Sequence, residues 1–169
     1  MKRSLIVIDM QNDFITGSLG TKEAQAILPN VKKKIEEYNA RGDEIIFTRD
    51  THQADYLSTN EGKHLPVKHC IVNTQGWQIA DGLEINDCQY INKSTFGWTN
   101  WRVYDYFEEI EIIGICSDIC VISNALILKA TFPEANITVD ANCCAGTTPD
   151  NHKAALAVMK ACQINVIGE

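Results

Sequence analysis

At 169 residues, with 45% apolar and 22% charged side chains, the chain has the size and mix of one globular domain able to bury a core. A formal charge of −7 and a pI near 5.1 exclude the basic face that a nucleic-acid partner would need. No apolar run reaches the ~18 residues of a membrane-spanning helix, so no membrane partner is expected.

The N-terminus, Met1-Lys2-Arg3, is basic and precedes the apolar run Leu5–Ile8. That run ends at Asp9 with no small-residue cleavage site, so it reads as a first strand rather than a signal peptide. The protein is expected to be cytoplasmic. Residues Ala24 to Ala40 predict a helix, with Ile27, Val31, Ile35 and Tyr38 on one face and Gly42 closing it. Glu44–Thr48 is the next strand. The stretch from Asp50 to Asp87 carries turn residues and little periodicity. Gln89–Asn92 predicts a short strand and Asn100–Phe107 a helix. The apolar run Ile110–Ile115 reads as a buried strand, followed by a helix from Cys120 to about Phe132 and a strand at Asn136–Val139. Thr148 caps a last helix with Pro149 in its first turn, ending near Cys162, and Asn165–Ile167 closes the set. Short apolar strands alternating with helices imply an α/β fold whose parallel sheet has helices on both faces.

The seven cysteines (70, 88, 116, 120, 143, 144 and 162) are odd in number and mostly in apolar contexts. They read as reduced thiols, and none of their spacings gives a paired CxxC zinc site. The chain has neither GxGxxG nor GxxxxGK[ST], so a dinucleotide or phosphate loop finds no support.

Ligands of open parallel sheets bind beyond the carboxyl ends of the strands. Four strand ends here deliver reactive groups: Asp9, then Asp50 and His52, then Lys93, then Cys120. Cys120 falls in the first turn of a helix, where unpaired N–H groups lower a thiol pKa and stabilise an adjacent anion. Each group alone has an ordinary explanation as a turn, surface or core residue. Their collection at one sheet edge does not. Asp50 and His52 alternate around Thr51, which places both side chains on one side of extended backbone. A histidine and carboxylate pair suits zinc, iron or manganese.

Four blocks, Ile8-Asp9-Met10-Gln11-Asn12-Asp13-Phe14, Thr48-Arg49-Asp50-Thr51-His52, Asn92-Lys93-Ser94-Thr95-Phe96 and Gly114 through Val121, resemble the isochorismatase-like cysteine hydrolases in order and spacing. The resemblance spans essentially the whole chain, and within that superfamily the likeness is to nicotinamidases. It implies one domain with a three-layer, Rossmann-like fold and a six-stranded parallel sheet. It also implies an Asp9–Lys93–Cys120 triad, an oxyanion hole from the backbone N–H groups of Cys116 and Cys120, and a cis peptide between Ile115 and Cys116. A divalent metal, zinc before iron or manganese, is implied on Asp50, His52, Glu61 and His69, with His64 as the rival to Glu61. Phe14 matches a ring-contacting aromatic of the family. Where relatives place a second aromatic, three positions before the last metal histidine, this chain has Pro66 beside Leu65. Leu65 and Phe96 are expected at the substrate. The Ser117-Asp118 pair matches the family's Thr-Asp, whose aspartate caps or orients the nucleophile helix.

The reading that follows is a metal-assisted cysteine amidohydrolase that converts nicotinamide to nicotinate and ammonia, in a dimer or tetramer. Its first alternative is a related amidase for another small amide or carbamoyl compound. The second is a metal-binding or interaction module without catalysis.

Overall fold

A computed structural model describes residues 3–86 and 88–169. Met1, Lys2 and Asp87, which enter the N-terminal reading and the end of the irregular stretch, lie outside the described residues.

Six parallel strands form one sheet in the order β3-β2-β1-β4-β5-β6. They are β1 (Arg3–Ile8), β2 (Glu44–Asp50), β3 (Gln89–Lys93), β4 (Glu109–Ile115), β5 (Asn136–Ala145) and β6 (Asn165–Ile167). Central β1 is apolar without alternation because both of its faces are covered. Ile6 and Ile8 enter one core with Leu128, Leu156 and Met159. Leu5 and Val7 enter the other, with Ile27, Val31 and Ile35. The first core is closed by α4 (Ile122–Thr131) and α5 (Pro149–Ala161), the second by α2 (Lys22–Arg41). Two short helices, α1 (Asn12–Ile15) and α3 (Asn60–His64), lie in connections after β1 and β2.

Local chemistry sets the helix ends. The Thr21 side chain accepts the Ala24 N–H at the start of α2, and Gly42 closes it at a left-handed φ of 71°. Thr148 caps α5 by accepting the Asn151 N–H, with Pro149 in the first turn. At Gly114, φ is +121°, and a Cβ there would run into the main chain of Ile8. Only glycine lets β4 pass so close to the end of β1.

Three expectations need correction. The predicted helix over Asn100–Phe107 is a single 3₁₀ turn at Trp101–Val103. Trp101, Tyr104 and Phe107 recur every three residues because they pack together, with Tyr104 stacked on Phe107 at 5.0 Å between ring centroids. β5 continues past Val139 to Ala145. Its polar Asp140 hides the continuation in sequence but is accommodated by Lys34, whose Nζ lies 2.9 Å from it. The Cys120 helix begins earlier, as a π-helical turn over Ser117–Val121 that runs into α4.

Among the described residues no helix is long and apolar enough to cross a membrane. The strand order reverses between β1 and β4, which opens a crevice at their carboxyl ends. Asp9 and the π turn meet there.

Candidate active site and metal centre

Asp9 stands where β1 leaves the sheet, in a left-handed conformation with φ 48°. Such a backbone in a residue other than glycine costs on the order of 1–3 kcal/mol and persists only where its surroundings hold it. Thr48 does so. It takes the Asp9 N–H on both its carbonyl and its hydroxyl at 3.2 Å, and its hydroxyl donates to Asp9 Oδ1 at 2.6 Å.

Lys93 reaches the same place from the end of β3, where its register partner is Asp50. Its buried Nζ lies 2.6 Å from Asp9 Oδ2, 3.6 Å from Cys120 Sγ and 3.9 Å from Asp50 Oδ1. It also donates to the Thr95 carbonyl at 3.1 Å. One ammonium thus faces three groups that can carry negative charge.

Cys120 is buried in the π turn, which follows a cis peptide between Ile115 and Cys116. The Cys116 carbonyl accepts the N–H groups of Ile119 and Val121. Asn124, fully buried on α4, donates to the carbonyls of Cys120 (2.8 Å) and Phe96 (3.2 Å). Its oxygen accepts from Trp98 N–H (2.9 Å) and Trp101 Nε1 (3.2 Å). With its hydrogen-bonding capacity filled, Asn124 ties the cysteine turn to the loop after Lys93. Sequence reasoning missed both Thr48 and Asn124. A polar side chain in an apolar strand or helix was the available signal.

Burial pushes the Asp9 carboxyl above its ordinary range, against the pull of Lys93. Burial opposes the charge on Lys93, but Asp9, Cys120 and Asp50 together hold its pKa well above the usual lysine value. The Cys120 thiol is also pushed well up, by burial and then by the Asp9 charge. This corrects the expectation that the helix start lowers it. Both shifts run the same way, so a thiol faces a carboxyl of raised proton affinity, with the Lys93 ammonium beside them.

A second cluster adjoins the first through Lys93. One ligating atom from each of Asp50, His52, Glu61 and His69 lies within 4.8 Å of every other. His52 Nε2 is 2.9 Å from Asp50 Oδ2, as the alternation around Thr51 predicts. Glu61 comes from α3, whose Thr59 cap accepts the Gly62 N–H. His69 Nδ1 lies 2.8 Å from the Val67 carbonyl, which only a donor can satisfy. That leaves Nε2 as the lone-pair nitrogen, 3.4 Å from Asp50 and 3.8 Å from Glu61. Burial disfavours charge on Asp50, but the hydrogen bond from His52 and the charge of Lys93 hold its carboxyl below the usual range. Burial and the facing Asp50 push Glu61 the other way. Two carboxylates crowded against two imidazoles form a donor set that fits one divalent cation. Of the two rivals, Glu61 belongs to this set. His64 is exposed and turned to the Asn60 carbonyl, 2.8 Å from its Nδ1.

A cleft of about 920 Å³ opens beside the cluster, lined by His52, Glu61, Ser94, Thr95 and Phe96 among others. Phe96 is 47% exposed at its wall. The Phe14 ring packs 5.6 Å from the His69 ring. Leu65, 38% exposed, is not among the residues lining the cleft, and its carbonyl accepts the Tyr56 hydroxyl at 2.9 Å. Asp118 makes no cap to its own turn. It instead accepts the Thr147 N–H at 2.8 Å and the Thr147 hydroxyl, while Ser117 Oγ pairs with His152 Nδ1 at 2.8 Å. The first contact fastens the cysteine turn to the segment joining β5 and α5, the second to α5 itself.

The isochorismatase domain family matches residues 3–168. A probable inactive nicotinamidase of Arabidopsis thaliana is 28% identical, over 93% of this chain and 87% of that protein. The crystal structure of a nicotinamidase/pyrazinamidase from Bacillus subtilis superposes with a TM-score of 0.87 at 25% identity, covering 98% of this chain and 99% of that one. The pyrazinamidase of Pyrococcus horikoshii in complex with zinc gives 0.84 at 26% identity, with full coverage of both chains.

Proposed function

The chain belongs to the isochorismatase family, and within it we propose a cysteine amidohydrolase that hydrolyses nicotinamide to nicotinate and ammonia. The observation that carries this reading is the Lys93 ammonium, 2.6 Å from Asp9 and 3.6 Å from Cys120 in a buried site. An unactivated amide needs a nucleophile as strong as a thiolate, and a thiolate needs an acceptor for its proton.

Asp9 takes the Cys120 proton, and the sulfur attacks the amide carbon. Lys93 balances the negative charge as it passes from carboxylate to sulfur. The N–H groups of Cys116 and Cys120 receive the developing oxyanion, each well-aimed donor contributing about 3 kcal/mol to the transition state. Asp9 returns the proton to the leaving nitrogen, the C–N bond breaks, and ammonia departs from a thioester. Asp9 then takes a proton from water, whose oxygen attacks the thioester. The C–S bond breaks and the thiol is restored with that proton. Asp50, His52, Glu61 and His69 would hold the metal ion, which when bound supplies a Lewis acid for a heteroaromatic ring nitrogen. The zinc complex of the Pyrococcus pyrazinamidase supports this assignment and favours zinc over iron or manganese. Phe96 stands at the wall of the cleft, and Phe14 packs against the ring of His69.

A related amidase for another small amide or carbamoyl compound is favoured by one observation: Pro66, beside Leu65, stands where relatives place the second aromatic, and neither residue lines the cleft. A fold kept only for binding is disfavoured by the intact Asp9, Lys93 and Cys120 set, despite the Arabidopsis relative's name. Ammonia release from nicotinamide, before and after chelation, tests the reading. Turnover lost on chelation and restored by zinc, iron or manganese supports it. No turnover in metal-loaded protein whose Cys120 still alkylates removes nicotinamide and keeps the cysteine hydrolase.

A further inference from the structure

The block from Asp9 to Phe14 contains three polar side chains that the mechanism does not use: Asn12, which donates to the Gln75 carbonyl, and Gln11 and Asp13, which reach the ligand-bearing segments. Gln11 is fully buried. Its Oε1 accepts the Asp50 N–H at 2.7 Å, and its Nε2 donates to the carbonyls of Asp50 (2.8 Å) and Trp77 (2.9 Å). The β1–β2 ladder runs only to the pair Ile8 and Thr48, because β1 leaves the sheet at Asp9. Asp50 thus loses its strand neighbour on that side. A carboxamide is a peptide group in miniature, and Gln11 supplies the donor and acceptor that the departed strand does not. β3 pairs with Asp50 on the other side through Lys93.

Asp13 holds a second ligand-bearing segment. Its Oδ2 accepts the Cys70 N–H at 2.7 Å. Cys70 follows His69 and is itself left-handed, with φ 46°. The Cys70 carbonyl accepts the His52 N–H at 2.9 Å, so the same turn also fixes His52. Gly76 is pressed against the Asp13 carboxylate so closely that a Cβ there would overlap it. The side chain sits in a fitted recess rather than in open solvent.

We propose that Gln11 and Asp13 are positioning residues of the metal centre. Gln11 sets the backbone of Asp50, and Asp13 sets the turn that aims His69 and His52. One short segment after β1 thereby carries Asp9 for proton transfer and organises the three inner ligands of the cation. This inference rests on the metal reading of the Asp50–His52–Glu61–His69 cluster.

Isothermal titration of the apoprotein with cobalt(II), without substrate, tests it in the wild type and in Gln11→Ala, Gln11→Glu, Asp13→Ala and Asp13→Asn. Loss of such outer partners weakens metal binding by about 10–100-fold. We expect that loss in Gln11→Ala and Asp13→Ala, and in Gln11→Glu, whose carboxylate would face the Asp50 carbonyl. Asp13→Asn keeps an acceptor oxygen for Cys70 and should recover most of the affinity. Cys120 alkylation at the wild-type rate in the same variants shows that the fold and the triad survive. If an alanine variant fails to fold, the Gln11→Glu and Asp13→Asn pair carries the comparison. Cobalt affinity unchanged in folded variants overturns the positioning role while leaving the metal centre standing. A wild type that binds no cobalt overturns both.

Discussion

Replacing Lys93 with methionine removes the one positive charge from a fully buried place facing Asp9, Asp50 and Cys120. Methionine is close in length and apolar, so little packing is lost. What remains is a buried carboxylate without its partner. Removing one member of a buried ion pair typically costs about 3–5 kcal/mol, and a chain of this size loses roughly 2–4 °C of Tm per kcal/mol. The variant should therefore melt about 6–20 °C below wild type near neutral pH. The penalty has a pH signature. Burial already raises the folded-state pKa of Asp9 above 3.8, so its contribution to stability is present below that unfolded value and lost as pH rises through the folded one. Without Lys93 the folded value climbs further, since that charge lowers it. The destabilisation should be smaller at about pH 5 than at about pH 8, since it grows as pH rises, by up to ~1.4 kcal/mol per unit. Lys93 itself stays charged across this window, because its own pKa is raised. Calorimetry of both proteins at the two pH values, with Asp9→Asn/Lys93→Met alongside, decides the matter. The double variant should regain most of the lost stability. An equal loss at both pH values, or no recovery in the double variant, would refute the assigned electrostatics.

Cys120→Ala should abolish turnover while the far-ultraviolet circular dichroism and Tm stay close to wild type, and Asp9→Asn should cut kcat by ~100-fold or more. The acid limb of kcat/KM should follow Asp9. Activity falls as pH drops through its raised pKa, because the protonated carboxyl cannot accept the thiol proton, so a limb near pH 3.8 or below would contradict the burial argument. Gly114→Ala should lower stability by about 2–4 kcal/mol in urea denaturation, because the added Cβ meets the Ile8 main chain at a φ of +121°.

The strands and the long helices were legible because burial writes itself into the sequence. Leu5–Ile8 and Ile110–Ile115 are apolar runs, the second interrupted only by Glu111 and Gly114, and Gly42, Thr148 and Pro149 punctuate α2 and α5. The aromatic segment from Trp101 to Phe107 misled because an aromatic cluster and a helix face can share a three-residue spacing. The second half of β5 was hidden because its Asp140 is neutralised by Lys34, a partner remote in sequence. At the site, chain order placed Asp9, Lys93 and Cys120 at one sheet edge, and the alternation of Asp50 and His52 carried their shared direction. The choice of Glu61 over His64 depended on how α3 is oriented, which its five residues do not encode alone. The partners of Thr48, Asn124, Gln11 and Asp13 could not be read from the sequence, for a common reason. Each bonds to the main chain or side chain of a distant segment, and a hydrogen bond of that kind leaves no periodicity.

The most direct measurement is hydroxylamine capture during turnover of nicotinamide. A thioester on Cys120 partitions between water and hydroxylamine, so nicotinohydroxamate should form at the expense of nicotinate in the wild type and not at all in Cys120→Ala. Nicotinate released with no hydroxamate at any hydroxylamine concentration, or hydroxamate formed by Cys120→Ala, would contradict the covalent mechanism.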